Sequence, residues 1–188
     1  MSCVVIVFGE IGSGKTTTCL KLAERAMTMH IPIGGILSMR IYRDGALIGY
    51  DGLEPASNTA FPLMRLKNIA VGPDWFKFGR LKYSFSKRGF ERANDILMSS
   101  AQMLDRQSIV FVDEFGRLEK AGSGIYPGAA RITESLGGRG VVIFACRTDM
   151  VDVVEGLVES RANYVFKQEP MDVESLWHRV RGCLQGFE

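Results

Sequence analysis

Hydrophobic positions follow one rule at the two ends of the chain and another in its middle. Near the start, Cys3 to Phe8 form an unbroken apolar, β-branched run. Such a run suits a strand buried on both faces of a mostly parallel sheet. The runs Ile109 to Val112 and Val141 to Cys146 read the same way, and a shorter strand is expected near Tyr164 to Phe166. Between them the period changes to that of a helix. Cys19, Leu22, Ala23, Ala26 and Met27 mark one helix from Lys15 to about Met29, with Lys21, Glu24 and Arg25 turned to water. Phe90, Ala93, Leu97, Ala101 and Leu104 mark a second, and Ile125, Ala129, Ile132 and Leu136 a third. Met150, Val153, Val154, Leu157 and Val158 give a fourth, and Val173, Leu176, Trp177, Val180 and Leu184 a last helix from Asp172.

The middle reads differently. Ile36 to Arg43 and Ala46 to Asp51 flank Asp44-Gly45, a hairpin turn signal. From 52 to 80 the chain is broken by Gly52, Pro55, Pro62, Gly72, Pro73 and Gly79, with short candidate strands at Leu63 to Leu66 and Leu81 to Phe85. Repeated alternation of strand and helix elsewhere predicts a three-layer α/β fold with a mainly parallel sheet and an antiparallel hairpin excursion. Neither a repeat nor a linker divides residues 1–188, so a single domain is expected.

Composition narrows the function. With 46% hydrophobic residues in 188, the chain can build a sizeable core. Its 23 Lys and Arg against 21 Asp and Glu leave a net charge of +2, which makes nucleic acid an unfavoured partner. The cationic run Lys82, Lys87, Arg88 and Arg92, interleaved with Tyr83, Phe85 and Phe90, is accordingly read as a half-buried strand and helix start. The apolar runs are about a third of what a membrane-spanning helix needs, and the first residues lack a secretory leader, so a cytoplasmic location without membrane contact is expected. Cys3, Cys19, Cys146 and Cys183 form no C-x-x-C pair and read as buried free thiols. Two histidines, His30 and His178, give a histidine metal centre little material. Met27, Met29, Met98 and Met103 are expected to fill the core.

The chemistry lies in Gly9-Glu10-Ile11-Gly12-Ser13-Gly14-Lys15-Thr16, which matches G-x-x-x-x-G-K-[ST] between a strand and a helix. In this Walker A loop, glycines bring backbone N–H groups against phosphate oxygens, and the helix points its positive end at the same place. Gly9, Glu10, Ile11, Gly12, Ser13, Gly14, Lys15, Thr16 and Thr17 are the candidate nucleotide-binding residues. Lys15 supplies charge to the β- and γ-phosphates, and Thr16 offers a hydroxyl to Mg²⁺.

A second signal is Ser108-Ile-Val-Phe-Val-Asp113-Glu114, an apolar strand ending in acids at the sheet edge where ligands bind. Asp113 reads as the Walker B acid that holds Mg²⁺ opposite Thr16, and Glu114 as the catalytic group that orients and deprotonates a water. The competing reading of the acids is a helix N-terminus decorated with negative charge. Arg117 and Arg147 are weaker candidates for phosphate contact.

Together these residues resemble the small thermophile-type nucleoside-triphosphatases, whose vertebrate members are called cancer-related nucleoside-triphosphatase. The likeness also uses Gly34-Gly35, the hairpin to Ile48-Gly49-Tyr50, the stretch Gly79 to Glu91, and Asp113-Glu114-Phe115-Gly116-Arg117-Leu118-Glu119. It implies a RecA-like P-loop domain and slow, Mg²⁺-dependent release of the γ-phosphate from several nucleoside triphosphates. The chain departs from the family pattern at Ser38-Met39-Arg40, where a Thr and an acid are expected, and at Lys87-Arg88, where members are less basic. The alternatives are a P-loop kinase, although no acceptor-positioning acid is evident near Ile41, and a nucleotide-dependent adaptor that binds a partner protein through the hairpin. Broad base selectivity is expected, because Arg147-Thr148-Asp149 lacks the lysine and spacing of a guanine-reading loop.

Overall fold

In the computed structural model, described for residues 2–104, 107–137, 140–170 and 172–186, every strand joins one nine-stranded sheet. Strand β1 (Cys3–Phe8) leads through the glycine loop into α1 (Lys15–Thr28), then β2 (Ile33–Arg43), β3 (Ala46–Glu54) and β4 (Thr59–Leu66). Next come β5 (Trp75–Lys77), β6 (Tyr83–Ser86) and α2 (Lys87–Met103). Strand β7 (Ile109–Phe115), the short α3 (Arg117–Lys120) and α4 (Tyr126–Glu134) precede β8 (Val141–Cys146), α5 (Val151–Val158), β9 (Tyr164–Gln168) and α6 (Val173–Gln185). Across the sheet the order is β5-β6-β4-β3-β2-β7-β8-β1-β9. The five strands from β2 to β9 run parallel, and β3, β4, β6 and β5 add on antiparallel.

Alternate residues of each parallel strand feed two cores. In β1, Val4 and Ile6 face the core built with α2, α4 and α5, while Cys3, Val5 and Val7 face the core built with α1 and α6. Helices on both faces explain why these strands read as continuous apolar runs rather than alternating ones. All four cysteines are free and buried. Among the described residues, no helix is long and apolar enough to cross a membrane.

The antiparallel excursion extends beyond the Asp44-Gly45 hairpin: β4, β6 and β5 continue the same sheet. Strand β5 is three residues long and α3 four, and both escaped the sequence reading because neither spans a full period of its pattern. The cationic run falls where expected, with Lys82 just before β6 and Lys87, Arg88 and Arg92 in the first turns of α2. The methionines do not. Met27, Met29, Met98 and Met103 are each more than two-fifths exposed. On α2 the inward stripe is Ala93, Leu97, Ser100 and Ala101, which leaves Met98 and Met103 off the buried face.

Strand β2 joins the two kinds of pairing. Ile33 to Ile36 pair in parallel with Ile109 to Val112, and from Leu37 onward the same strand pairs antiparallel with β3. The crossing is tight at Gly35, whose φ of +89° suits glycine and where a Cβ would stand 1.9 Å from the Phe111 carbonyl oxygen. Its N–H donates to Ser100 Oγ of α2 at 2.8 Å, so the seam between the two halves is hydrogen-bonded as well as packed.

Candidate functional site

The loop between β1 and α1 brings its predicted residues together at the carboxyl edge of the sheet. Gly14 caps α1 in a left-handed conformation, φ +97°, with open space where a side chain would be. That conformation lets the chain enter the helix with its first N–H groups free to meet an anion. Lys15 is buried and folds back over the loop, its Nζ donating to the carbonyls of Gly9 at 2.8 Å and Glu10 at 2.9 Å. Ser13 N–H closes the turn onto the Glu10 carbonyl at 3.1 Å. Glu10, Ile11, Gly12, Ser13 and Thr17 are exposed. Ile11 is 67% exposed, a cost in apolar surface that core packing does not repay.

Opposite the loop, β7 carries the two acids as strand residues, so the helix-terminus reading of them does not apply. The β7–β8 register shifts between Val112 and Phe115, and within that irregularity Glu114 adopts a φ of +60°. A non-glycine residue in this region is strained, and such strain concentrates at functional sites. The bulge turns the consecutive acids to different tasks. Asp113 is buried and firmly held: Oδ2 accepts the Ser38 N–H at 2.9 Å, Oδ1 accepts the Glu114 N–H at 2.8 Å, and the Thr16 hydroxyl also bonds to it. Burial pushes its pKa up, opposed by those hydrogen bonds and by Lys15. Glu114 opens onto solvent in the cleft while protein surrounds it on several sides. That enclosure first, and the Asp113 charge second, raise its carboxyl to about 7 against the pull of Lys15 and Arg40.

The Thr16 and Asp113 oxygens are hard donors, meeting beside the lysine that faces phosphate. They fit Mg²⁺, which keeps several waters and takes few protein ligands. A cluster of three or more acidic, cysteine or histidine side chains is absent among the described residues.

The cleft holds about 410 Å³ and is lined by more than the loop and the acids. Arg117 and Arg147 both reach it. Arg147 pairs with Asp149 at 3.2 Å and keeps a buried Nε without a partner. Arg40, which the sequence marked only as a departure from a pattern, lines the cleft beside the loop, its guanidinium 3.8 Å from where a Gly12 Cβ would stand. Tyr50, Tyr83 and Ser38 also line it; the sequence named them but gave none a place in a cleft, because nothing local in their strands marks one. Glu119 proves to be a loop-positioning residue: buried, it accepts the N–H groups of Gly116 at 2.8 Å and Ile125 at 2.9 Å and so ties the segment after β7 to the start of α4.

Comparison with known proteins bears on the family and the fold. The model of the NTPase family matches residues 4–180. The chain belongs to this NTPase family. It is 29% identical over 140 residues, 74% of both chains, to the nucleoside-triphosphatase THEP1 of Archaeoglobus fulgidus. To its namesake from Methanopyrus kandleri it is 31% identical over 115 residues, 61% of this chain and 58% of the relative. The fold is shared with the solution structure of a human cancer-related nucleoside triphosphatase, at a TM-score of 0.70, 22% identity and full coverage of both chains. It is shared too with the crystal structure of THEP1 from Aquifex aeolicus, at a TM-score of 0.67, 16% identity and coverage of 96% and 99%. As an NTPase-family chain, it carries the phosphate loop and the acid strand inside the matched region.

Proposed function

We propose that the chain is a Mg²⁺-dependent nucleoside-triphosphatase that hydrolyses the γ-phosphate of ATP, GTP, CTP and UTP with little regard for the base. The observation that carries this reading is the meeting of Lys15, Thr16 and Asp113 at one edge of the sheet with Glu114 open to the same cleft. Family membership and the names of the THEP1 relatives support a hydrolase of nucleoside triphosphates.

In this mechanism the amides of residues 9–17 cradle the phosphates, and Lys15 leaves its loop carbonyls to neutralise the β- and γ-oxygens. Thr16 and Asp113 would hold Mg²⁺, which supplies further charge to the phosphate oxygens when bound. Glu114 orients the attacking water and takes its proton. Water oxygen bonds to the γ-phosphorus, the bond to the β-phosphate oxygen breaks, and nucleoside diphosphate and inorganic phosphate leave. Arg40 stands beside Gly12, where charge develops on the γ-phosphate. Contacts of these kinds are common to every nucleoside triphosphate, so discrimination among bases is left to weaker forces. The same reading puts the enzyme in the cytoplasm, where its four buried thiols stay reduced.

Phosphate release from the four triphosphates, with Mg²⁺ and with chelator, tests the proposal. Release from all four that stops on chelation is expected. Absence of release, or release indifferent to Mg²⁺, overturns it.

A further inference from the structure

Hydrolysis needs room for one water beside Glu114, yet the cleft continues well past that carboxylate. Following the sheet order from β1 toward β6, its wall passes from the phosphate loop to Asp113 and Glu114 on β7, then to Ser38 and Arg40 on β2. Beyond them it becomes an apolar chamber lined by Tyr50, Leu63, Leu81, Tyr83, Phe85 and Phe90. Glu114 sits at the junction. Its charge is felt by Lys15 on one side and by the Tyr50 and Tyr83 phenols on the other.

The chamber is built on the core: Leu63, Phe85 and Phe90 belong to it, while Leu81 and Tyr83 are only partly buried and pack against it. Tyr50 and Tyr83 stand edge to face, their ring centroids 5.7 Å apart and their hydroxyls hydrogen-bonded to each other. Ser38, only 2% exposed, lines the cleft with an Oγ that has no hydrogen-bond partner. An orphaned hydroxyl in a buried wall is a standing cost, and a ligand able to bond it would relieve that cost.

In the triphosphatase reading Thr16 and Asp113 would hold the metal at the γ-phosphate side of the loop, and Glu114, which takes the proton of the attacking group, lies between that loop and the chamber in the same cleft. The chamber thus opens onto the side from which that group approaches. Six apolar walls hold water poorly and hold an organic ring well. Arg40 and Lys82 reach the tyrosine end of the chamber and Glu114 opposes them, while Leu63, Leu81, Phe85 and Phe90 carry no charge, which makes a neutral ring the fit for the wall. The whole cleft measures about 410 Å³, so an acceptor that shares it with a triphosphate must be small.

Resting on the triphosphatase reading of the same site, we propose that the apolar chamber is an acceptor pocket and that the enzyme also transfers the γ-phosphoryl group to the hydroxyl of a small, neutral aromatic or heteroaromatic alcohol. The ring packs between Tyr83, Leu81 and Phe85, and Ser38 Oγ aligns the hydroxyalkyl arm. The alcohol oxygen bonds to the γ-phosphorus, the bond to the β-phosphate oxygen breaks, and the hydroxyl proton passes to Glu114. The products are a phosphomonoester and a nucleoside diphosphate, and water completes the reaction only when the pocket is empty.

The test follows ³¹P NMR of the whole chain turning over Mg-ATP with millimolar benzyl alcohol or 3-pyridylmethanol, beside saturation transfer from protein to the ring protons of either probe with an imido analogue of ATP bound. The half-buried Leu81 is replaced in a second sample by L81W, which fills the chamber without touching the phosphate loop. Expected are a phosphomonoester signal and ring saturation in the wild type, both reduced at least about tenfold in L81W, whose ³¹P spectrum still shows inorganic phosphate formed from ATP. The proposal is overturned if ATP is consumed but no phosphomonoester forms, or if ring saturation is absent or equal in the two proteins. It is also overturned if L81W raises KM for ATP with probe binding unchanged, since the base then occupies the chamber. ATP left intact in every sample fails the triphosphatase reading itself, and the transfer with it.

Discussion

The parallel and antiparallel halves of the sheet differ in how their strands are covered, and the site takes a different contribution from each. Strand β8 is buried at every residue and β1 at five of six, because helices lie on both faces. In β4, by contrast, buried Phe61 and Leu63 alternate with exposed Ala60 and Pro62, with α2 packed against this half of the sheet. Full burial makes the parallel strands rigid supports that end in the glycine loop and the acid pair. Single-sided burial leaves β4 able to spend side chains on a cavity wall, where Tyr50 of β3 and Tyr83 and Phe85 of β6 join it. The expected division is that the parallel half supplies the chemistry and the antiparallel half what the chemistry acts upon.

The sharpest way to break this comparison is Lys15→Ala. Removing the buried ammonium from the phosphate side should lower kcat/KM for ATP by about a thousandfold, the upper range for one preorganised charge-stabilising donor. Circular dichroism should be unchanged, since Lys15 contacts loop carbonyls rather than core. Wild-type hydrolysis by this variant would remove the loop from the mechanism.

Next in size is Glu114→Gln, expected to keep nucleotide affinity and lose about a hundredfold in kcat. Rapid-mix phosphate release with a parallel binding titration separates the two. If Asp113→Asn and Glu114→Gln both abolish binding and neither shows a separate effect on turnover, the two acids do not divide the work as their geometry suggests.

A smaller effect sharpens the comparison from the other side. If recognition rests on phosphate contacts, ATP, GTP, CTP and UTP should have kcat/KM values within about thirtyfold, or about 2 kcal/mol of discrimination. Steady-state kinetics on the four would show it, and a preference above about a thousandfold, some 4 kcal/mol, would mean that a base-reading pocket exists.

The smallest expected effect probes the seam. Ser100→Ala deprives the Gly35 N–H of its partner where β2 passes from parallel to antiparallel pairing. A loss of about 1 kcal/mol, lowering Tm by about 2–4 °C, is expected. Hydrolysis should be unchanged below the transition. A change in kcat without a change in Tm would show that the two halves are coupled through this bond rather than merely joined by it.

Legibility along the chain follows the same division. The strands β1, β7 and β8 and the helices packed on them were evident because two-sided burial imposes long apolar runs and 3.6-residue stripes. The Asp44-Gly45 turn was evident because it needs particular residues, and both central positions have positive φ, 51° at Asp44 and 76° at Gly45. Strand β5 was not, since three residues, Trp75 to Lys77, cannot display a period. The methionines misled because apolar character does not say which side of a helix a residue occupies when the stripe beside it is already complete.

The sequence by itself determined the phosphate loop, since Gly9 to Thr16 are consecutive and their chemistry depends on backbone turns that glycine permits locally. It also determined the acid pair, because an apolar strand in a parallel sheet delivers its last residues to the ligand edge. Only the tertiary structure decided that Glu114 sits in a bulge with positive φ, that Ser38 N–H holds Asp113 from 75 positions away, and that Arg40 stands beside Gly12. It alone assembled the chamber from Tyr50, Leu63, Leu81 and Phe90, which lie on β3, on β4, before β6 and on α2. The reason is physical: a loop or a strand end is specified by neighbours along the chain, whereas a cavity wall is specified by strand register and helix packing, which bring distant residues together and leave no local pattern behind.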